Sequence, residues 1–174
     1  MSTQLVISAL GADRSGIVDE LSSIIASHKL NIEDSRMTVL GGEFAILLLV
    51  AGEKSAIQAF IEQQEKIATA LHIQLLMKTT QSVETKSTIL PYQVEVTAMD
   101  NQGIVHNLAG FFSKKQIGIV DLHTDHYPAP HTGTPMFALY MTIGIPADIS
   151  ISKLKETFTN FCDELNLDAE LKRL

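Results

Sequence analysis

Asp13-Arg14-Ser15-Gly16-Ile17-Val18 returns 87 residues later as Asp100-Asn101-Gln102-Gly103-Ile104-Val105, and that recurrence decides how the chain divides. A self-similar spacing is the mark of a duplicated unit. At the same offset Leu21 meets Leu108, Ile32 meets Ile119 and Asp34 meets Asp121. Ile24-Ile25 falls on Phe111-Phe112 and Leu30 on Ile117, so apolar character persists where identity is lost. Further on the register slips by six, pairing Phe44-Ala45 with Phe137-Ala138, which places an insertion within His126–Pro135. Gln81–Thr88 is polar and poor in apolar residues, the composition of a linker. The reading is two homologous domains, residues 1–80 and 89–174, joined by a linker at 81–88.

Working outward from the motif, each half carries the same order of elements. Gln4–Leu10 alternates and is rich in branched residues, which predicts a strand. Ile17, Val18, Leu21, Ile24 and Ile25 then recur on one helical face. Asp13 suits an N-cap, and the acids Asp19 and Glu20 suit the positive end of the helix dipole. Asn31–Leu40 and Phe44–Val50 flank Gly41-Gly42, a glycine-turned hairpin. Ile57, Phe60, Ile61, Ile67 and Leu71 predict one second helix, and His72–Thr79 a last strand. In the second half, Tyr92–Ala98, Ile117–Tyr127, Met136–Ile145 and Asp168–Leu174 read as strands. Ile104–Lys115 and Ser152–Leu165 read as helices, the latter with Leu154, Phe158, Phe161 and Leu165 inward. The order βαββαβ, twice, implies an α+β protein of two ferredoxin-like units. Phe44–Val50 is apolar on both faces, and helices cover only one, so the sister domain or another copy of the chain is expected to cover the other.

Composition sets the bounds on function. The 174 residues carry a net charge of −7, with the acidic excess divided evenly between the halves. That balance argues against binding a phosphate backbone, which needs clustered Lys and Arg. The longest apolar run, Phe44 to Ala51, is far shorter than the ~20 residues of a spanning helix. Met1–Leu10 lacks the basic start of a secretory signal. Cys162 is the single cysteine, which excludes an intrachain disulfide and suits a reducing compartment. A cytoplasmic location is the expectation.

The chemistry-bearing feature is the strand–loop–helix junction itself. A glycine at the first helical turn lets a ligand approach the backbone, and free N–H groups there attract a carboxylate. A neighbouring Asp would hold an ammonium group. Together these suit an amino-acid zwitterion. The same residues also suit a plain structural role, Asp as cap and Gly as turn former. Other signals are weaker. His123, Asp125, His126 and His131 crowd the inserted region without metal-ligand spacing, so no metal and no cofactor are expected. His28, His72 and His106 read as helix-end or strand-edge residues, and Cys162 as structural. No nucleophile–base pair or paired carboxylate is placed by the pattern, so an enzyme is not expected. RNA-recognition units share the element order, but they need aromatics and basic charge that the third strands here lack.

Asp13 and Asp100, each followed by a variable pair, Gly and Ile, together with Asn31-Ile32 opening the second strand, resemble the ACT domain, a small-molecule-sensing regulatory module of βαββαβ fold. The resemblance covers both halves. It implies effector contacts at Asp13, Arg14, Ser15, Gly16, Ile17 and Asn31, and in the second half at Asp100, Asn101, Gln102, Gly103 and Ile104. Gly118 stands where Asn31 would have its counterpart, and Ser15 and Gln102 replace the family's proline. A tandem pair with no attached enzyme implies a non-enzymatic, oligomeric regulator. It would answer to an amino acid, glycine first, and act by contact with a transcription activator rather than with nucleic acid or membrane. The alternative implied is a detached regulatory subunit of an amino-acid-metabolising enzyme.

Overall fold

The computed structural model describes residues 3–81 and 89–174, so all of the 81–88 linker except Gln81 lies outside the described residues. The chain divides into two compact units, Met1–Glu84 and Thr85–Leu174. The first comprises β1 (Thr3–Ala12), α1 (Ile17–Ser27), β2 (Asn31–Leu40), β3 (Glu43–Gly52), α2 (Lys54–Glu62), α3 (Gln64–Leu71) and β4 (Gln74–Thr80). The second comprises β5 (Ile89–Met99), α4 (Ile104–Ser113), β6 (Gly118–Pro128), β7 (Pro135–Pro146), α5 (Ile151–Glu164) and β8 (Asp168–Arg173). Each forms a four-stranded antiparallel sheet, in the orders β2-β3-β1-β4 and β6-β7-β5-β8, with helices on one face. This is the ferredoxin-like α+β arrangement that the periodicities require.

The cores follow from the alternation. In the first unit Leu5, Ile7 and Ala9 of β1 and Phe44, Ile46, Leu48 and Val50 of β3 point toward the helices, where they meet Ile17, Leu21, Ile25, Ile57 and Phe60. In the second, Val94, Val96, Leu139, Met141 and Ile143 meet Leu108, Phe112, Leu154 and Phe158. The repeat extends to irregularities, because the β2–β3 ladder shifts register between Ile32 and Asp34 and the β6–β7 ladder between Ile119 and Asp121. The hairpins differ at their tips. Gly41 and Gly42 both have positive φ, 60° and 86°, as a two-residue primed turn demands. The second hairpin extends through Pro128 to Pro135, closed by hydrogen bonds between Ala129 and Thr134 and between Gly133 and Ala129.

Four sequence expectations are corrected. The cap of α1 is Gly16, in the left-handed region, and no side chain caps the helix, so Asp13 is not its N-cap. The expected single helix over Ile57–Leu71 breaks at Gln63, whose side-chain amide meets His28 at 3.0 Å while that of Gln64 donates to the Leu75 carbonyl. His72 is not in the last strand but ends α3 with φ 55°. On α5 the buried residues are Leu154, Phe158 and Cys162; Phe161 is half-buried and Leu165 exposed. A four-residue step keeps Cys162 on the sheet side, and Leu165 lies where the helix has already ended.

Candidate functional site

The two motif loops close in the same way. The Asp13 N–H donates to the Gly42 carbonyl at 3.1 Å, and the Asp100 N–H donates to the Pro135 carbonyl at 3.0 Å. Each loop is thereby pinned to the hairpin between the second and third strands of its unit. Gly16 (φ 90°, ψ −9°) and Gly103 (φ 89°, ψ 2°) then turn the chain into the helix. A residue with a Cβ resists that conformation, which is the physical reason both copies keep Gly. Their carbonyls accept from Glu20 and Asn107, each at 2.9 Å, and start the helical ladder. Neither helix has a side-chain cap, and at the start of α1 the Ile17 N–H turns back to the Arg14 carbonyl at 3.4 Å.

The loops differ in charge. In the first unit Arg14 donates two hydrogen bonds to the Glu20 carboxylate, 2.6 and 2.7 Å long. This bidentate pair holds the Arg14 guanidinium more firmly protonated and keeps the Glu20 carboxyl below the usual glutamate range. Glu20 lies beside Gly16, where a Cβ would stand 3.5 Å from Oε1. At the equivalent positions the second unit has Asn101 and Asn107, a neutral pair. Among the described residues no side chain pairs with the Asp13 carboxylate, whereas Asp100 Oδ2 lies 3.5 Å from His126 Nδ1 on the extended hairpin. Glu20 and His126 stand at the two loops, although neither is among the contacts expected from the sequence. The joint change of Arg14/Glu20 to Asn101/Asn107 across the repeat was the signal available for Glu20; His126 stood out only as one of a crowd of inserted-region histidines, and the longer hairpin carries it to the loop.

Within one unit the residues expected to contact an effector do not all converge. Asp13, Arg14, Ser15, Gly16 and Ile17 lie at the Gly41-Gly42 end of the sheet, while Asn31 pairs with Ala51 at the opposite end. Eight strand positions, Glu43 to Ala51, separate the two ends, roughly 26 Å at ~3.3 Å per residue. In the second unit Asn101, Gln102 and Ile104 line a cleft of about 420 Å³ with Asn107 and the Leu165-Asn166-Leu167 turn. The larger cleft of the first unit, about 610 Å³, runs past Gly11, Glu43 and His72 and does not touch the Asp13–Ile17 loop. His28 and His72 close the ends of α1 and α3, and His106 is exposed on α4. His123 stacks on Tyr140 at 4.9 Å on the sheet face away from the helices. Among the described residues no three His, Cys, Asp or Glu side chains gather as metal ligands, and no helix is long and apolar enough to cross a membrane.

Comparison with known proteins places this geometry. Residues 3–78 match the ACT domain family. The chain is 28% identical to the glycine cleavage system transcriptional repressor of Escherichia coli K12 over 167 residues, 96% of this chain and 88% of that one. It is 35% identical to a UPF0237 protein of Methanopyrus kandleri over 88 residues, 40% of this chain and 97% of the relative. Among solved structures, that of a candidate glycine cleavage system transcriptional repressor superposes with a TM-score of 0.73 at 25% identity, covering 100% of this chain and 98% of the other.

Proposed function

Because this chain belongs to the ACT-domain family, we propose that it is a non-enzymatic cytoplasmic regulator, organised as domains 1–80 and 89–174. It binds an amino acid, glycine foremost, and transmits the signal by contact with a transcription activator. The observation that carries this reading is the Asp13–Ile17 loop, where an aspartate with no partner among the described residues stands beside an uncapped helix N-terminus turned by a left-handed glycine. Similarity along nearly the whole chain to a glycine cleavage system transcriptional repressor supports the regulatory role.

The chemistry is that of a zwitterion clamp. The first-turn amides of α1 receive the ligand carboxylate, helped by the helix dipole. Asp13 receives the ammonium group, while Glu20, held by Arg14, sets the polar rim. The second loop, Asp100 to Ile104, is the weaker site, since His126 faces Asp100. Asn31, at the far end of its own sheet, would join such a site from another unit rather than from the one that carries the Asp13 loop. Regulation then requires that the ligand bind two states of the partner-binding surface with different affinity.

Thermal unfolding of the full chain against a panel of free amino acids tests this reading. A ligand at 100 times its Kd adds about 2.7 kcal/mol, hence a rise of roughly 5–10 °C for a chain of this size. The rise is expected for glycine and is lost in the double variant Asp13→Ala, Asp100→Ala with its circular dichroism unchanged. Undiminished binding by that variant would overturn the site.

A further inference from the structure

The cleft of the second unit departs from the corresponding part of the first in one consistent way. Its polar lining comes from Asn101 and Gln102 of the loop, Asn107 of α4 and Asn166 of the turn between α5 and β8. All four are carboxamides. At the offset of 87 the first unit has Arg14, Ser15 and Glu20 in place of the first three. In place of Asn166 it has His72, since both residues hold the left-handed turn before the last strand, with φ 54° and 55°. Arg14 and Glu20 are tied to each other, and the cleft of the first unit lies away from their loop. The four carboxamides of the second unit have no hydrogen-bond partner among the described residues. Each offers an acceptor oxygen and two donor hydrogens, so the cleft is lined by donors and acceptors with no charge among them.

The remaining walls are apolar. Ile104 and Leu167 are buried and form the floor, while Met99 and Leu165 stand at the rim, 62 and 37% exposed. Where the second unit has Met99 the first has Ala12, so the apolar wall is also larger in this copy. No Lys, Arg, His, Asp or Glu side chain lines the cleft. A charged ligand would leave water here without a counter-charge, which is costly. An uncharged body with N–H and C=O groups on its edge finds apolar walls for its faces and a partner for each polar group. Asn and Gln side chains make paired hydrogen bonds of this kind when they read the edge of a base. The volume, about 420 Å³, falls within the ~300–1,000 Å³ of small-molecule sites.

We propose that this cleft binds a small uncharged heterocycle with a cyclic amide edge, of which a pyrimidine base is the simplest case. The apolar walls take the faces of the ring, and the carboxamides pair with its N–H and C=O groups. The site shares Asn101, Gln102 and Ile104 with the second motif loop but uses neither Asp100 nor any residue of the first unit. It therefore stands apart from the glycine reading, and either can fail without the other.

Titration of the nitrogen-labelled full chain with uracil, followed by two-dimensional proton–nitrogen NMR, tests it. Saturable shifts confined to the cleft are expected, with the side-chain amide signals of Asn101, Asn107 and Asn166 among those that move. Dimethyluracil, methylated at both ring nitrogens, keeps the flat body but loses its donors and is expected to bind about tenfold more weakly or worse. Uridine binding alongside uracil marks a nucleoside as the source of the ring, and uracil binding alone marks the free base. The double variant N101R/N107E gives this loop the ion pair that the first unit carries on the same backbone. It is expected to keep its circular dichroism and to lose uracil binding. N166G keeps the left-handed turn without the carboxamide and is expected to weaken binding about tenfold. No shift up to the solubility limit of uracil would overturn the proposal, as would undiminished binding by N101R/N107E or equal binding of dimethyluracil. Binding of L-glutamine, an open-chain amide, in place of uracil would overturn the heterocycle.

Discussion

Arg14 and Glu20 are joined by a bidentate pair, 2.6 and 2.7 Å, that runs beside the left-handed Gly16 at the mouth of α1. Both groups are exposed, so the pair shapes the loop more than it stabilises the fold. The Glu20 carboxyl, hydrogen-bonded by Arg14, titrates below the ordinary glutamate value of 4.5. A carboxylate whose pKa falls on folding contributes stability above its unfolded value and loses it as the pH drops through the folded value. Arg14→Ala is expected to return the Glu20 titration toward 4.5 and to leave the melting temperature at pH 7 nearly unchanged. Carboxyl carbon NMR against pH measures the first, and calorimetry the second.

Gly16 and Gly103 are expected to resist substitution for backbone reasons alone. Gly16→Ala or Gly103→Ala should each cost about 1–2 kcal/mol, because alanine pays for φ near 90°. Asparagine, which tolerates the left-handed region, should cost less at the same positions. Urea denaturation of the four variants checks the order.

Gly110 sits inside α4 with open space where a Cβ would go. Gly110→Ala is therefore expected to stabilise the second unit by about 0.5–1 kcal/mol through helix propensity. An unchanged or lowered denaturation midpoint would contradict it.

Burial pushes the Cys162 thiol up to about 11, with the charge of Asp163 adding to the effect. In the folded chain Cys162 is expected to react with a disulfide reagent at pH 8 at least tenfold more slowly than in the unfolded chain. The sign on stability follows from the neutral form being favoured in the fold. The contribution is full below pH 9, the ordinary thiol value here, and is lost as the pH rises from there toward about 11. Thiol reaction rates with and without denaturant measure the first effect, and alkaline unfolding of Cys162→Ala against the parent chain the second.

Core truncation should separate the two faces of a sheet. Phe60→Ala and Phe158→Ala remove side chains with almost no exposure and should cost about 3–5 kcal/mol each within their own unit. Leu47→Ala, on the open face of β3, should change monomer stability by less than ~0.5 kcal/mol.

The Asp-x-x-Gly-Ile repeat and the alternating strands determined, without coordinates, that the chain is two βαββαβ units and that a helix follows each copy of the motif. Periods of two and of 3.6 are local properties, so they survive in the linear order of residues. The break at Gln63, the left-handed His72 and the burial of Cys162 rather than Leu165 were decided by tertiary structure. Gln63 meets His28, and Gln64 meets Leu75, only once the sheet has formed. The candidate site divides along the same line. The loop from Asp13 to Ile17 could be read from contiguous residues, as could its copy at Asp100 to Ile104. That Asn31 lies at the far end of the sheet from Asp13, and that His126 faces Asp100, depends on strand register and hairpin length, which bring together or hold apart residues that the chain order leaves unrelated.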